Sequence, residues 1–357
     1  MNSYLLAVFL GYFLSVTCFS LVLNGVLLRF SKTLGIRNRT EGMIRWNSEY
    51  KPSVGGICFY LLFLLSVASY TVFFPQSQSL MNQPLLGLLG ASSLAFIMGL
   101  ADDAYNTKPL LKLMAQICCA VILILSGTYI SLFTDNNANY LLTVFWVVGM
   151  MNSINMLDNM DGITTIISMN VLSFAVFFEY QRGAFMNVYF MIMLGVLAAL
   201  CGFLYYNWNP SKLFMGDTGS QFLGVFLAAV GINCFWNAPD FSAHESHSRQ
   251  LFVALLAFIM PIIDTSIVIV NRVAKGRSPF IGGKDHTTHH LVYMGFSERK
   301  VAIIFAVISF VSISLTYVIN RFIPNWGYLQ IVLFSTYFLG LLFSFFYITQ
   351  KYQIVAK

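Results

Sequence analysis

The chain has 357 residues, of which 58% are hydrophobic and only 10% charged, at a mean hydropathy of +0.74. Soluble domains sit nearer half apolar and a quarter charged, so this composition excludes an ordinary soluble enzyme and requires an integral membrane protein. The net charge of +6 is read below as a membrane-surface bias, with no nucleic-acid partner implied.

Eleven apolar runs of membrane-crossing length follow one another, over 3–28, 54–74, 84–101, 112–132, 140–156, 163–180, 186–206, 218–236, 250–272, 300–319 and 327–349. Segments that cross a bilayer must satisfy their own backbone hydrogen bonds, and none of these runs alternates as a barrel strand would. The fold class is therefore all-α, a polytopic bundle forming one domain over 1–357. The first run lacks a basic n-region and a cleavage site, which predicts an uncleaved first span. All six cysteines fall within spans and read as packing residues, since no loop carries a Cys/His metal spacing.

Basic residues orient the bundle. The alternate segments 29–53, 102–111, 157–162, 207–217 and 273–299, with the span flanks and C-terminal tail on the same side, hold 17 of the 20 Lys and Arg. Only Arg182, Arg249 and Arg321 fall on the other side. The positive-inside rule makes the first group cytoplasmic, with the N-terminus out and the C-terminus in. Such a face favours anionic membrane lipids and anionic substrates.

Against this background the acidic residues stand out. Asp102 and Asp103 end the third span, Asp158 and Asp161 follow the fifth, and Asp217 opens the eighth. All five are thus expected at the cytoplasmic ends of helices. Acids at membrane depth are costly unless they pair, line a wet cavity or hold a cation. Asn155, Asp158 and Asp161, spaced by three, share a face if the fifth helix continues that far. Asp102 and Asp103 are adjacent and must point differently, so one is expected to face a metal or substrate while the other braces a neighbouring element. Hard oxygen ligands near a water boundary suit Mg²⁺ together with a diphosphate. Gly216, Gly219 and Ser220 around Asp217 let backbone approach a ligand at a helix N-terminus. Asp264 lies well inside the ninth span and is expected to pair, bind backbone groups or stay protonated.

The second cluster, Lys284-Asp285-His286-Thr287-Thr288-His289-His290, sits in a loop with Arg272, Lys275 and Arg277. Its basic surroundings disfavour a metal, leaving phosphate recognition by His, Lys and Arg or a plain solvated loop.

Taken in order, Asp102-Asp103, Asn155-x-x-Asp158-x-x-Asp161-Gly162, Asn207-x-x-Pro210-x-Lys212-x-Phe214-Met215-Gly216-Asp217-x-Gly219-Ser220, Pro261-x-x-Asp264-Thr265 and His289-His290 resemble the polyprenyl-phosphate N-acetylhexosamine-1-phosphate transferases. The resemblance covers nearly the whole chain and is closer to the undecaprenyl-phosphate GlcNAc-1-phosphate branch than to the phospho-MurNAc-pentapeptide translocase. It implies a bacterial inner-membrane enzyme with its site on the cytoplasmic face. The substrates implied are undecaprenyl phosphate and a UDP-HexNAc, with Mg²⁺ as cofactor, Mn²⁺ as a substitute, and room for a homodimer.

Carried over, Asp217 is a metal ligand, with Asp158 beside it. Asp102, Asp103, Asp158, Asp161 and Lys112 are the catalytic set. Asn155, Asn207, Lys212, His289, His290 and Arg277 bind substrate. Two positions depart from the family pattern. Asn159 stands where Gly is usual, and the loop reads His-x-x-His-His instead of His-x-His-His, which puts His286 in doubt. The implied reaction moves HexNAc-1-phosphate from the UDP-sugar to the lipid phosphate and releases UMP, initiating a cell-envelope glycan. UDP-GlcNAc is the default donor, with a modified UDP-HexNAc or UDP-MurNAc-pentapeptide as alternatives. A secondary transporter is the alternative of another class, and its site would lie near the midplane.

Overall fold

A computed structural model describes residues 3–33, 51–74, 82–238, 246–279 and 282–352. The central part of the predicted first cytoplasmic loop lies outside the described residues. Thirteen α-helices occur among those described: α1 (Ser3–Thr33), α2 (Gly55–Phe73), α3 (Gln83–Tyr105), α4 (Pro109–Leu125), α5 (Asn136–Leu157), α6 (Ile163–Gln181), α7 (Val188–Asn207), α8 (Gly216–Gly231), α9 (His247–Ala257), α10 (Ile259–Ala274), α11 (Thr287–Tyr293), α12 (Glu298–Phe322) and α13 (Tyr328–Lys351). Nine of the helical segments, one of them α8 with its extension, are long and apolar enough to cross a membrane, and the bent pair α9–α10 makes a tenth. The shorter α4 accounts for the eleventh expected run. The protein is a multi-pass helical membrane protein.

The bundle is organised around α8, which continues through a π-helical turn, Ile232–Trp236. Its small residues let α2, α3 and α5 pack closely, while Phe222 and Phe226 fill the space against Tyr60 and Phe63. α1 and α2 close on α7, and α6 packs between α7 and α12. α13 lies at the rim with most of its apolar surface outward.

Two spans differ from their expected form. The fourth run ends as a helix at Leu125, because Gly127 turns with φ 88°. The apolar stretch beyond it is not helical. Thr143 accepts from Ile130 N at 2.9 Å, and Asn139 accepts from Leu132 N and Phe133 N at 3.0 and 2.8 Å. Such backbone is tolerated at membrane depth only where the protein itself satisfies it. The ninth run is broken at Phe258, and its halves meet at 83°. Pro261 explains the break: it has no N–H for the carbonyl of Ala257, and its ring would clash with that carbonyl in a continuous helix.

One end of the bundle gathers the starts of α2, α4, α8 and α12, the ends of α3, α5, α7 and α13, and the segment holding α11. The contacts described below link nearly all of them. The opposite end is tied by its own set, in which Tyr70 donates to Met186 O, Asn237 to Tyr129 O and Trp326 to Ser248. The alternation of ends expected from the basic residues is therefore present in the fold.

Candidate functional site

The last turn of α3 carries Asp102 and Asp103, which diverge by the 100° that separates adjacent helical residues. Asp103 turns toward α8. Its Oδ1 accepts from Asp217 N at 3.0 Å, and its Oδ2 accepts from Thr218 N at 2.9 Å and Thr218 Oγ1 at 2.6 Å. The first amides of a helix have no partner within it, and here a carboxylate from another helix supplies one. The approach requires Gly216: its φ is 72°, and a Cβ there would lie 2.6 Å from Asp103 Oδ2 and 2.8 Å from Ser53 O.

Asp102 turns the other way. Its Oδ1 accepts from Thr107 N at 2.8 Å and Thr107 Oγ1 at 2.7 Å, while Oδ2 pairs with the Lys112 ammonium at the start of α4. Lys112 also stands 4.0 Å from Asp217 Oδ2. Asp217 Oδ1 accepts from Asn155 Nδ2 at 2.5 Å, and Asn155 donates to Ser220 Oγ at 2.8 Å as well. The Asp217 side chain keeps 32% of its surface exposed against 2% for Asp102. It is thus the carboxylate of this group that faces outward.

Sequence reasoning missed the layer beneath. Gln116 is one turn deeper than Lys112, Asn152 one turn before Asn155, and Gln221 one turn after Asp217. Asn152 donates to Gln116 Oε1 at 2.8 Å, and Gln116 donates to Asn152 Oδ1 at 3.3 Å and Gln221 Oε1 at 3.2 Å. This amide cluster fixes the rotation of α4, α5 and α8 about their axes, and so the directions of Lys112, Asn155 and Asp217. The signal was available, as amides at i±3 and i±4 from candidate site residues within apolar spans.

The shared face expected for Asn155, Asp158 and Asp161 ends with the helix, because α5 stops at Leu157. Asp158 is its half-buried C-terminal cap, and Asp161 lies in the turn beyond. Asp161 does not join the Asp217 cluster. Its oxygens accept from Ser211 N (2.9 Å), Ser211 Oγ (2.8 Å) and Asn209 Nδ2 (3.1 Å), and Lys51 Nζ stands 3.7 Å away. Asn209 also donates to Glu298 Oε2 at 2.6 Å, which ties α12 to the same connector. Asn207, expected to line the substrate pocket, is buried. Its Oδ1 accepts from Gly162 N and Thr165 Oγ1, and its Nδ2 donates to Leu213 O. Lys212 is exposed over the Tyr205 ring.

The histidine segment is not a solvated loop. α11 is drawn into the bundle, with Thr287, Thr288, His289 and His290 all buried. Asp264 holds its start: Oδ1 accepts from Thr287 N at 2.9 Å and Thr287 Oγ1 at 2.5 Å, and His286 Nδ1 pairs with Oδ2 at 2.9 Å. Asp264 is therefore paired and binds backbone, as expected, and His286 is its partner. His289 Nδ1 accepts from His286 N, which places the proton of the neutral ring on Nε2. Burial pushes His289 down to about 3 and lowers His290, so both rings are neutral near pH 7. His290 Nδ1 donates to Tyr352 O just beyond α13. Arg272 does not contribute to a free basic surface. It binds Asp285 through Nε (2.9 Å) and Nη2 (2.7 Å). Burial opposes ionisation of Asp285, but this guanidinium holds its carboxyl below the usual range. Arg277 and Lys275 are exposed.

Among the described residues no group of three or more His, Cys, Asp or Glu is arranged to enclose a metal. An outward-facing Asp217 with few protein ligands around it fits Mg²⁺, which takes most of its shell from phosphate and water.

A lysine–carboxylate cluster thus stands at the ends of membrane-spanning helices. Residues 85–235, which span α3 through the π-helical turn and include the whole cluster, match the family model for glycosyl transferase family 4. Similarity to individual proteins extends further along the chain. A probable undecaprenyl-phosphate N-acetylglucosaminyl 1-phosphate transferase of Bacillus subtilis is 23% identical over 82% of this chain and 79% of its own. A decaprenyl-phosphate N-acetylglucosaminephosphotransferase of Mycobacterium leprae is 29% identical over 71% of this chain and 69% of its own. A phospho-N-acetylmuramoyl-pentapeptide-transferase of Lactobacillus gasseri is 27% identical over 79% and 88%. The chain is thus similar to glycosyl transferase family 4 over its central part, residues 85–235.

Proposed function

We propose that this protein transfers HexNAc-1-phosphate from a UDP-sugar to a polyprenyl phosphate, undecaprenyl phosphate by default, and releases UMP. The observation that carries the reading is the convergence of Asp102, Lys112, Asn155 and Asp217 from four helices at one end of the bundle. The names of the relatives support the same reaction class, and two of the three name GlcNAc transfer. The excess of Lys and Arg at this end supports a cytoplasmic site, where UDP-sugars are found.

An oxygen of the lipid phosphate attacks the sugar-bearing phosphorus of the donor, and the bond from that phosphorus to the oxygen bridging it to UMP breaks. A phosphate monoester has a second pKa of about 6 and is largely dianionic at neutral pH, so no strong base is needed. Asp102, enclosed by Thr107 and Lys112, holds the lysine at the site. Lys112, poised between Asp102 and Asp217, offsets the negative charge brought by two phosphorylated substrates. Asn155 holds Asp217 in one orientation. Mg²⁺ bound by Asp217, with Asp158 as a second ligand, would supply neutralisation of the diphosphate charge. Asp103, Asp161 and Asn207 position the connectors that carry these groups. The placement of the cluster at helix ends supports an enzyme over a transporter, whose acids would lie near the midplane.

The test is UMP release by purified protein with undecaprenyl phosphate, Mg²⁺ and a panel of UDP-HexNAc donors. Failure with every donor refutes the reading. Asp217→Ala is expected to abolish turnover while leaving the melting temperature unchanged, and Mg²⁺-dependent turnover in that variant refutes the metal role.

A further inference from the structure

α11 and its cap are fastened at three consecutive positions and a fourth nearby. His286 and Thr287 are held by Asp264 of α10, and His290 by the carbonyl of Tyr352 after α13. The remaining tie goes to the turn after α5. Thr288 Oγ1, fully buried, donates to Asn159 Oδ1 at 2.6 Å. The Asn159 amide cannot reverse, because its Nδ2 donates to Met156 O in the last turn of α5 at 2.9 Å. Successive residues of a helix point 100° apart. Ties at 287 and 288 to two different elements therefore leave α11 no rotation about its axis, and they set the direction of His289, the next residue round.

We infer that Asn159 and Thr288 are positioning residues that couple the Asp158 turn to the histidine helix, so that the two sides of the UDP-sugar site hold one geometry. The inference rests on the proposed function, in which Asp158 serves the donor diphosphate, and on the expectation from the sequence that His289 binds substrate. It assigns Asn159, the residue next to Asp158, a reason to be a side chain with both a donor and an acceptor. It also accounts for two adjacent threonines before the histidine pair, each committed to a different partner.

The test is a double-mutant cycle with Asn159→Ala and Thr288→Val, measuring KM for the UDP-sugar, KM for undecaprenyl phosphate, kcat and melting temperature. Loss of a buried hydrogen bond is expected to raise the donor KM roughly 5- to 30-fold in each single variant. The double variant is expected to be no worse than the weaker single one, and the lipid KM to stay within about twofold. Thr288→Ser, which keeps the hydroxyl, is expected to restore wild-type donor KM.

Multiplicative single effects, or no rescue by Ser, overturn the coupling. Equal rises in both KM values with a parallel fall in melting temperature reduce the pair to fold maintenance and also overturn it. Should a variant fail to fold, UDP binding to the Thr288→Ser and Thr288→Ala proteins gives the same comparison, and equal affinity overturns it. Wild-type protein inactive with every donor sinks the proposed function instead, so the two failures are distinct.

Discussion

Gly99 of α3 lies one turn before the Asp102-Asp103 pair and against the backbone that carries Asp217. A Cβ at this position would lie 2.4 Å from Asp217 O, 2.6 Å from Thr218 Cα and 2.7 Å from Asp217 C, where ordinary contact begins at 3.4 Å. Gly99→Ala must therefore part α3 from the first turn of α8 by about 1 Å. The far side offers no room, because Gly56 of α2 already packs so closely that a Cβ there would lie 2.2 Å from Gly219 N. Overpacking of this kind costs about 1–3 kcal/mol of stability. Its effect on chemistry is larger, since misplacing a reacting group by about 1 Å costs roughly 100-fold. The expected result is a kcat for UMP release lowered about 100-fold in a protein that still folds and melts a few degrees lower. Gly149→Ala in α5 is the control: nothing lies within 4 Å of a Cβ there, so activity and melting temperature should hold. A Gly99→Ala enzyme with more than half the wild-type kcat, or an equal loss in Gly149→Ala, refutes the reasoning.

Asp103→Asn retains one carbonyl oxygen for three donors, so it should lower both kcat, by about 10-fold, and melting temperature. Asp217→Asn should lower kcat alone, and the reverse pattern would exchange the two roles. His289 is lowered from 6.5 to about 3 by burial, so the folded protein keeps it neutral while the unfolded chain protonates below pH 6.5. Its contribution to stability is present above pH 6.5 and is lost as pH falls toward 3, by about 1.4 kcal/mol at pH 5.5. Detergent-solubilised His289→Asn should lack that part of the acid sensitivity in melts from pH 7.5 to 5.5. A wild-type rate profile showing an ionisation near 6.5 that disappears in His289→Asn contradicts the burial of this ring.

The places and order of the apolar helices were legible in the sequence, because apolar length near 20 residues is a direct physical requirement, although of the eleven expected runs only nine or ten are spans by length among the described residues. The breaks were less so. The bend at Phe258 follows from Pro261, which was visible, but hydropathy averages over it. The path of the chain beyond the early end of α4 depends on Asn139 and Thr143, whose partners are 6–13 residues away and unmarked by any pattern. At the site, Asp102, Asp103, Asn155, Lys112 and Asp217 converge as their positions at span ends implied. Asp161 and Asn207 share the same motifs and the same end of the bundle, yet their side chains face the connector between α7 and α8. Spacing by three could not reveal this, since it presumes a helix that stops at Leu157. The burial of α11 was equally hidden, because a polar, histidine-rich segment reads as solvated until Asp264 is known to reach it.

The carboxylates that turned out to brace the fold share one device. Asp102 grips Thr107, Asp103 grips Thr218, Asp161 grips Ser211 and Asp264 grips Thr287, each through both the backbone N–H and the hydroxyl. A carboxylate at membrane depth needs several donors to offset its lost hydration, and one Ser or Thr supplies two within a single residue. The same bonds fix the polar segments that join apolar helices, which have little other reason to hold one shape. Asp217 departs from this pattern. An asparagine side chain holds one of its oxygens, a lysine faces the other at 4.0 Å, and a third of its side chain remains exposed. Acidic residues alike in sequence thus divide by what the chain does with their oxygens: those fully engaged set the geometry, and Asp217, a third of it exposed, is a carboxylate to which the proposed function assigns the cation.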